Sequence, residues 1–133
     1  MINFDELNTF DNVKIKDFIV PKLTYVDKRG YIYIMVNKFY PDIFKVGRTG
    51  NLPTRFKNYN ENQPVPSTRI MLVSNLFTDV HFVEERILYG LRQTAVPLQY
   101  KLEWFSIDYL NVCIDYIKEA EKILPYKEPR VSW

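Results

Sequence analysis

The chain has 133 residues, so a single domain is the default, and 47% of them are hydrophobic and 16% aromatic. This apolar content is ample for a core and excludes an intrinsically disordered chain. The formal charge is only +2 at pH 7, so no global basic character indicates a nucleic-acid partner. The single cysteine, Cys113, excludes an internal disulfide, and one histidine cannot form an ordinary zinc site.

Residues 1–29 are predicted to form an arm that packs on the domain, either as a short helix or as an extended segment. Apolar residues recur there on mixed periods, and Pro21 interrupts them. No apolar run is long enough to cross a membrane, and no secretory signal opens the sequence. We therefore expect a cytoplasmic protein without a membrane partner.

Residues 30–47 are predicted to form a β-hairpin. The first strand, near residues 31–36, alternates aromatic and aliphatic side chains and is rich in strand formers. The second strand, near residues 43–47, ends on a glycine. The segment NKFYPD between them carries asparagine and a Pro-Asp pair, which are typical of turns. The two strands are therefore expected to be antiparallel neighbours.

A helix and a third strand are predicted to follow the hairpin. Asn51 is the expected N-cap of a helix over residues 51–59, and Pro53 lies in its first turn, where a missing N–H costs little. Residues 69–77 are nearly continuously apolar, which fits a buried strand near 69–75. Periodicity alone does not separate this short run from a helix.

Two further helices are predicted in the second half of the chain. Thr78 or Asp79 can cap the helix VHFVEERILYGLRQ. Ser106 or Asp108 can cap the last helix, which Pro125 stops.

These elements together predict an α/β domain, more closely an α+β sandwich, over residues 30–124. Its small three-stranded mixed sheet would begin with the antiparallel hairpin and be flanked by helices. Trp104 and Phe105 in LEWF are interpreted as core packing, because aromatic residues strongly favour burial. Residues 125–133 are expected to be a polar C-terminal tail.

Cations are concentrated in the hairpin and the first helix. Between residues 38 and 59 there are five cations and one acid, namely Lys38, Lys45, Arg48, Arg55 and Lys57 against Asp42. A solvated surface is the ordinary explanation of such a cluster. A tyrosine and cations brought together by two paired strands and a helix would also suit a phosphate.

The pattern GYIY…FKVG…R…EWF resembles the GIY-YIG nuclease superfamily, and most of all its compact phage and bacterial branch, often described only as a DNA-binding domain. The resemblance runs from about residue 30 to residue 105. Tyr33 occupies the position of the first motif tyrosine. Arg55 matches the helix arginine of the family, and Tyr59 matches a further tyrosine or histidine found in many members.

Two positions depart from the superfamily pattern. Tyr31 stands where the first motif has a glycine, although Gly30 is adjacent. Lys45 stands where most members have the second motif tyrosine, and it is followed by the motif glycine, Gly47. Lysine in place of tyrosine favours a scaffold that binds DNA without cutting it.

Glu84 is the residue that the resemblance implies as metal ligand. It shares the apolar stripe of Val80 and Ile87, whereas Glu85 is rotated about 100 degrees away. An isolated glutamate on such a stripe usually lies at its edge with the carboxylate in water. The superfamily instead places one metal-binding glutamate on the helix after the third strand, and VEERI fits that setting at Glu84. The implied cofactor is one Mg²⁺ or Mn²⁺ ion.

The resemblance implies hydrolysis of phosphodiester bonds in DNA. Tyr33 would act as a base or as part of a relay to water, and this requires nearby cations that favour its phenolate. The resemblance further implies that Lys45, Arg55 and Tyr59 act at the phosphate and that Glu84 binds the metal ion. The expected DNA-binding residues are Lys45, Arg48, Arg55 and Lys57.

Two interpretations of function stay open at this point, together with a plain globular domain as a third. The first is a small divalent-metal-dependent DNA endonuclease. The second is a non-catalytic DNA-binding or interaction module on the same scaffold. Because no helix-turn-helix or zinc finger is present in the sequence, specificity would come from residues 60–68 or 93–101, from the arm, from a protein partner or from a homodimer.

Overall fold

The computed structural model describes residues 15–95 and 103–127, together with Phe4 and Leu7. The strands and helices, in chain order, are β1 (Tyr31–Asn37), β2 (Tyr40–Thr49), α1 (Leu52–Glu61), β3 (Thr68–Val73), α2 (Val80–Thr94), β4 (Trp104–Ser106) and α3 (Leu110–Ile123). A 3-10 turn, Ile107–Tyr109, joins β4 to α3.

The sheet has the strand order β3-β1-β2-β4, and each of its pairs is antiparallel. The predicted hairpin is confirmed, with Tyr33 opposite Gly47 and Met35 opposite Lys45. The predicted third strand is also confirmed. The predicted three-stranded mixed sheet is wrong in strand number and in strand direction. A strand of three residues is too short to show alternation, so β4 could not be recognised within LEWF.

One face of the sheet packs against α2 and α3 and forms the main core. β1 and β2 contribute fully buried side chains to it, namely Ile32, Ile34, Val36, Phe44 and Val46. Phe105 of β4 is also fully buried and stacks 5.9 Å from Phe44, as measured between ring centroids. Cys113 is buried in the same cluster, as expected for a small core residue.

The opposite face packs against α1 and forms a smaller cluster. Tyr33 and Met35 of β1 contact the buried side chains of Leu52 and Phe56 there. Trp104, expected in the core, is half-buried against this cluster. In the described chain this face is covered by α1 and by Ile15 and Phe18 of the arm, and polar groups near its margin can reach solvent.

The predicted helix starts are largely confirmed. The side chain of Asn51 accepts a hydrogen bond from the Thr54 amide, and Asp79 accepts one from the Phe82 amide. Ser106 caps the 3-10 turn that leads into α3. The last helix ends at Ile123, two residues before Pro125.

The described part of the arm is hydrogen-bonded to the connection between β2 and α1. The Val20 amide donates to the Gly50 carbonyl at 2.6 Å, and the Leu52 amide donates to the Phe18 carbonyl at 2.9 Å. The rest of the arm, the greater part of residues 93–101 and the end of the tail lie outside the described residues. Within the described ranges, no helix combines the length and apolar character needed to cross a bilayer.

Candidate phosphodiester-binding cleft

A cleft of about 310 Å³ opens along the edge of β2. β4 pairs with β2 only over Ile43–Lys45, so within the described chain the rest of β2 lacks a strand on that side. Side chains from both faces of the sheet therefore reach the cleft around this open edge. Five of the predicted side chains line it, together with Gly47: Tyr33, Lys45, Arg48, Arg55 and Glu84.

Two predicted residues lie outside this lining. Tyr59 sits behind Lys45, whose Nζ donates a hydrogen bond to Tyr59 Oη. Lys57 is exposed on α1, and its Nζ lies 3.5 Å from the Glu61 carboxylate one turn further on. The cleft therefore brings together most of the residues expected at a phosphate, whereas Tyr59 reaches it only through Lys45 and Lys57 belongs to a separate surface.

Both motif glycines are required by close approach. A Cβ at Gly47 would lie 2.5 Å from Cζ of Tyr33, because the tyrosine ring lies directly over the glycine of the neighbouring strand. A Cβ at Gly30 would lie 2.8 Å from Cγ1 of Val80 and 2.9 Å from the Thr49 carbonyl oxygen. Gly47 thus allows the Tyr33 ring to lie flat at the base of the cleft.

Tyr33 is only 1% exposed, and its environment favours the neutral phenol. Burial is the main cause that raises its pKa above the ordinary value, and the hydrogen bond and charge of Tyr59 raise it further. Arg55 acts in the opposite direction with a smaller effect. The expectation that nearby cations favour a phenolate at Tyr33 is therefore wrong, because desolvation outweighs their attraction.

Lys45 connects the tyrosine pair to a carboxylate. Besides its bond to Tyr59 Oη, its Nζ lies 4.8 Å from the centre of the Tyr59 ring and 3.4 Å from Glu103 Oε2. The Lys45 side chain is only 13% exposed, so its contact with Tyr59 is weakly screened by water, whereas Glu103 is 40% exposed and its ion pair is open to solvent. Tyr33, Tyr59, Lys45 and Glu103 form one polar chain across this wall of the cleft.

Glu84 is buried at the opposite wall, whereas Glu85 is exposed, as the helical rotation predicts. Glu84 Oε1 accepts a hydrogen bond from Arg48 Nη1 at 2.7 Å. Among the described residues, its Oε2 accepts none. Burial raises the pKa of Glu84, and the guanidinium of Arg48 only partly offsets this effect.

Four charged or titratable residues of the cleft were missed by sequence reasoning: Lys22, Arg29, His81 and Glu103. Glu103 lies within the LEWF motif, but its role depends on the pairing of β4 with β2. Arg29 is held by the Asp27 carboxylate at 2.8 Å, and neither residue belongs to a motif. Only the fold of the arm brings Lys22 and Arg29 to the cleft.

The cleft offers few protein ligands to a hard divalent cation. Within the described residues there is no group of three or more histidine, cysteine, aspartate or glutamate side chains that could hold a metal ion. Mg²⁺ is often bound by one or two carboxylates with waters completing the shell. Glu84, with one carboxylate oxygen free of protein hydrogen bonds in the described chain, meets that smaller requirement.

The chain belongs to the T5orf172 domain family, a phage-associated family whose model matches residues 30–124. No curated protein and no solved structure matches the chain. The matched range contains β1 to α3 and all the predicted site residues. Lys22 and Arg29, which the arm contributes to the cleft, lie outside it.

Proposed function

We propose that this T5orf172 domain is a GIY-YIG-type endonuclease that hydrolyses phosphodiester bonds of DNA with one divalent metal ion. The observation that carries the proposal is the convergence of Tyr33, Lys45, Arg55 and Glu84 on one cleft. The relation of the family to nuclease-like folds supports it. A cleft that combines several cations, the Tyr33 phenol and the carboxylate of Glu84 has the parts that phosphodiester hydrolysis requires.

Arg55 is the proposed phosphate ligand. Its side chain is exposed on α1, lines the cleft and forms no ion pair with the described residues. A guanidinium can donate two parallel hydrogen bonds to a phosphate and remains charged at any working pH. Arg55 would therefore bind the phosphate in the ground state and stabilise its added charge in the transition state.

The tyrosine pair is the proposed relay for the attacking water. The pair acts as a base after one of its phenols has lost a proton to solvent, and the resulting phenolate takes the proton of the attacking water through Tyr33 Oη. The ammonium of Lys45, which donates to Tyr59 Oη, stabilises the negative charge that the pair carries before it takes this proton. In this arrangement Lys45 supports the phenols electrostatically, so its presence in place of the second motif tyrosine is compatible with turnover.

Glu84 is the proposed ligand of one Mg²⁺ or Mn²⁺ ion, through the oxygen Oε2. When bound, the ion supplies Lewis-acid stabilisation of the leaving oxygen. Arg48 neutralises the same carboxylate, so cation binding and the Arg48 pair compete. The Arg48 side chain is 38% exposed and can turn to a DNA phosphate when it releases Glu84.

The deciding experiment is the conversion of supercoiled plasmid to nicked or linear DNA with Mg²⁺ or Mn²⁺, with and without a chelator. The proposal expects cleavage that the chelator abolishes. Glu84→Gln should abolish cleavage and leave DNA binding largely preserved, because glutamine keeps the size but lacks the charge that a hard cation requires. Glu85→Gln is the matched control on the exposed side of the same helix and should cut like the wild type.

A second candidate function is a DNA-binding module without turnover. It is favoured by the ion pair that already occupies Oε1 of Glu84 and by the raised pKa of Tyr33. Affinity should then reside on Lys45, Arg48 and Arg55 and fall steeply with salt. A protein that binds DNA in this way but never nicks it with either metal would establish this candidate instead.

A further inference from the structure

A second cleft of about 430 Å³ adjoins the first, between the arm and α1. Four residues line both clefts: Lys22, Thr49, Gly50 and Arg55. The two cavities are therefore neighbours, and the long side chains of Lys22 and Arg55 form the ridge between them. A ligand bound at this Lys22–Arg55 ridge can extend into either cleft.

The lining of the second cleft is selective for an anion. Among the described residues, Lys22 and Arg55 are its charged residues, and no carboxylate lines it. The first cleft differs, because the carboxylates of Glu84 and Glu103 lie among its cations. The side chains of Thr54 and Asn58 add neutral hydrogen-bond donors on the α1 side. This combination suits a phosphate group that is bound without a metal ion.

Lys22 is held in place by the backbone around it. Its Nζ donates to the Asp27 carbonyl at 2.6 Å, and none of the carboxylates of the described residues pairs with it. The adjoining Val20–Gly50 hydrogen bond fixes the arm against the start of α1. Within the described chain, no carboxylate compensates the positive charge of Lys22. The hydrogen bond to Asp27 holds this charge beside the second cleft.

We propose that a nucleic-acid strand crosses the Lys22–Arg55 ridge, with one phosphate in the first cleft and the neighbouring phosphate in the second. Lys22 binds the second phosphate and Asn58 donates to it, while Arg55, which lines both clefts, stays on the phosphate in the first cleft. The proposal rests on the proposed DNA-binding role of the first cleft and names the path of the strand beyond it. Because residue 22 precedes the family-matched range, this subsite is an addition made by the arm.

The test measures binding in the presence of a chelator, so that it does not depend on cleavage. A single-stranded dinucleotide, with one phosphodiester, is compared with a strand of about eight nucleotides, a length within the usual site size of a small single-strand binding domain. Lys22→Ala and Asn58→Glu should each weaken binding of the longer strand about tenfold and leave the dinucleotide within about twofold, the scale of one phosphate contact. The salt slope for the longer strand should fall by about 1 for Lys22→Ala.

A matched control separates the ridge from general charge effects. Lys16→Ala removes an exposed lysine of the same arm that lines neither cleft. This control should bind like the wild type, and circular dichroism of each variant should be unchanged. An equal weakening by Lys16→Ala would show a diffuse charge effect and overturn the proposed path.

Three other results would overturn the proposed path, and a fourth would separate it from the proposed nuclease function. Wild-type affinity of Lys22→Ala and Asn58→Glu for the longer strand overturns it, as does the absence of binding to either strand. Displacement of the longer strand by inorganic phosphate at equal phosphate concentration shows a free-anion site and overturns it as well. A protein with the expected length effect that never cuts plasmid retains this path while the proposed nuclease function fails.

Discussion

The two faces of the sheet are built from the same strands but carry different chemistry. On the face covered by α2 and α3, β1 and β2 bury only aliphatic and phenyl side chains. On the face covered by α1, Tyr33 and Lys45 take the corresponding positions and form a polar chain with Tyr59 and Glu103. Since successive residues of a strand point to opposite faces, each strand serves the core and the cleft at once.

Stability and chemistry therefore depend largely on different faces of the sheet. The α2–α3 face is closed by two helices and excludes water from the main core. The α1 face meets the open edge of β2, where polar groups reach a solvent-filled cleft. Substitutions of the apolar side chains on the first face should therefore unfold the protein, whereas substitutions of the cleft side chains, including Arg48 and Glu84 on the α2 side, should change binding or cleavage.

The largest effect is expected for Arg55→Ala, which removes the proposed phosphate ligand from the α1 face. Cleavage should fall by at least about 10²–10³-fold, the scale of losing one charge-stabilising donor. DNA affinity should fall as well, because the contact exists before the transition state. Single-turnover cleavage and fluorescence anisotropy measure the two effects.

Lys57→Ala is the matched control for Arg55→Ala. Lys57 lies on the same helix, but it is exposed and paired with Glu61 outside the cleft. Its removal should leave cleavage and affinity within about twofold, as expected for a surface ion pair of small energy. If Lys57→Ala is impaired as strongly as Arg55→Ala, DNA binds across α1 and not in the cleft.

The next prediction compares the stability contributed by one aromatic residue on each face, Phe44 and Tyr33. Phe44→Ala, on the closed face, should lower the free energy of unfolding by about 3–5 kcal/mol. Tyr33→Phe, on the α1 face, removes only a hydroxyl and should change it by about 1 kcal/mol. Urea denaturation measures both, and Tyr33→Phe should lose cleavage although it stays folded. A folded Tyr33→Phe protein that cuts DNA normally would show that the phenol is not part of the relay.

A smaller effect is expected from the glycine beneath Tyr33. Gly47→Ala places a Cβ against the Tyr33 ring and should destabilise the protein by about 1–3 kcal/mol through overpacking. Gly50→Ala is the control, because its Cβ would lie 3.6 Å from the nearest atom, Cε of Lys22. The control should stay within about 0.5 kcal/mol of the wild type. Equal stability of the two variants in urea would contradict the close packing of Tyr33 on Gly47.

The smallest effect concerns the pH dependence of stability. The pKa of Glu84 is higher in the folded protein than its ordinary value, so the folded state binds the proton more tightly than the unfolded state does. The wild type should therefore lose stability relative to Glu84→Gln as pH rises from that ordinary value through the raised pKa. Urea titrations of the two proteins from acidic to neutral pH measure the difference.

The sign of this pH effect also distinguishes two contributions at Glu84. If the wild type instead gains stability over Glu84→Gln with rising pH, attraction by Arg48 outweighs the cost of burial.

By itself the sequence determined the local elements and the candidates they carry. The hairpin, the Asn51 cap, a cap at Thr78 or Asp79 and the third strand follow from short-range patterns, and the structure has each of them, with Asp79 as the second cap. The choice of Glu84 over Glu85 follows from helical rotation alone. These features could be predicted because each depends on residues only a few positions apart.

The tertiary structure alone decided how these candidates interact. β4 exists because LEWF meets β2, the Arg48–Glu84 pair joins β2 to α2, and the arm delivers Lys22 to the cleft. The raised pKa of Tyr33 results from the packing of α1 over β1. Contacts between distant segments and the desolvation they cause have no local signature in the sequence, so only the folded chain could show them.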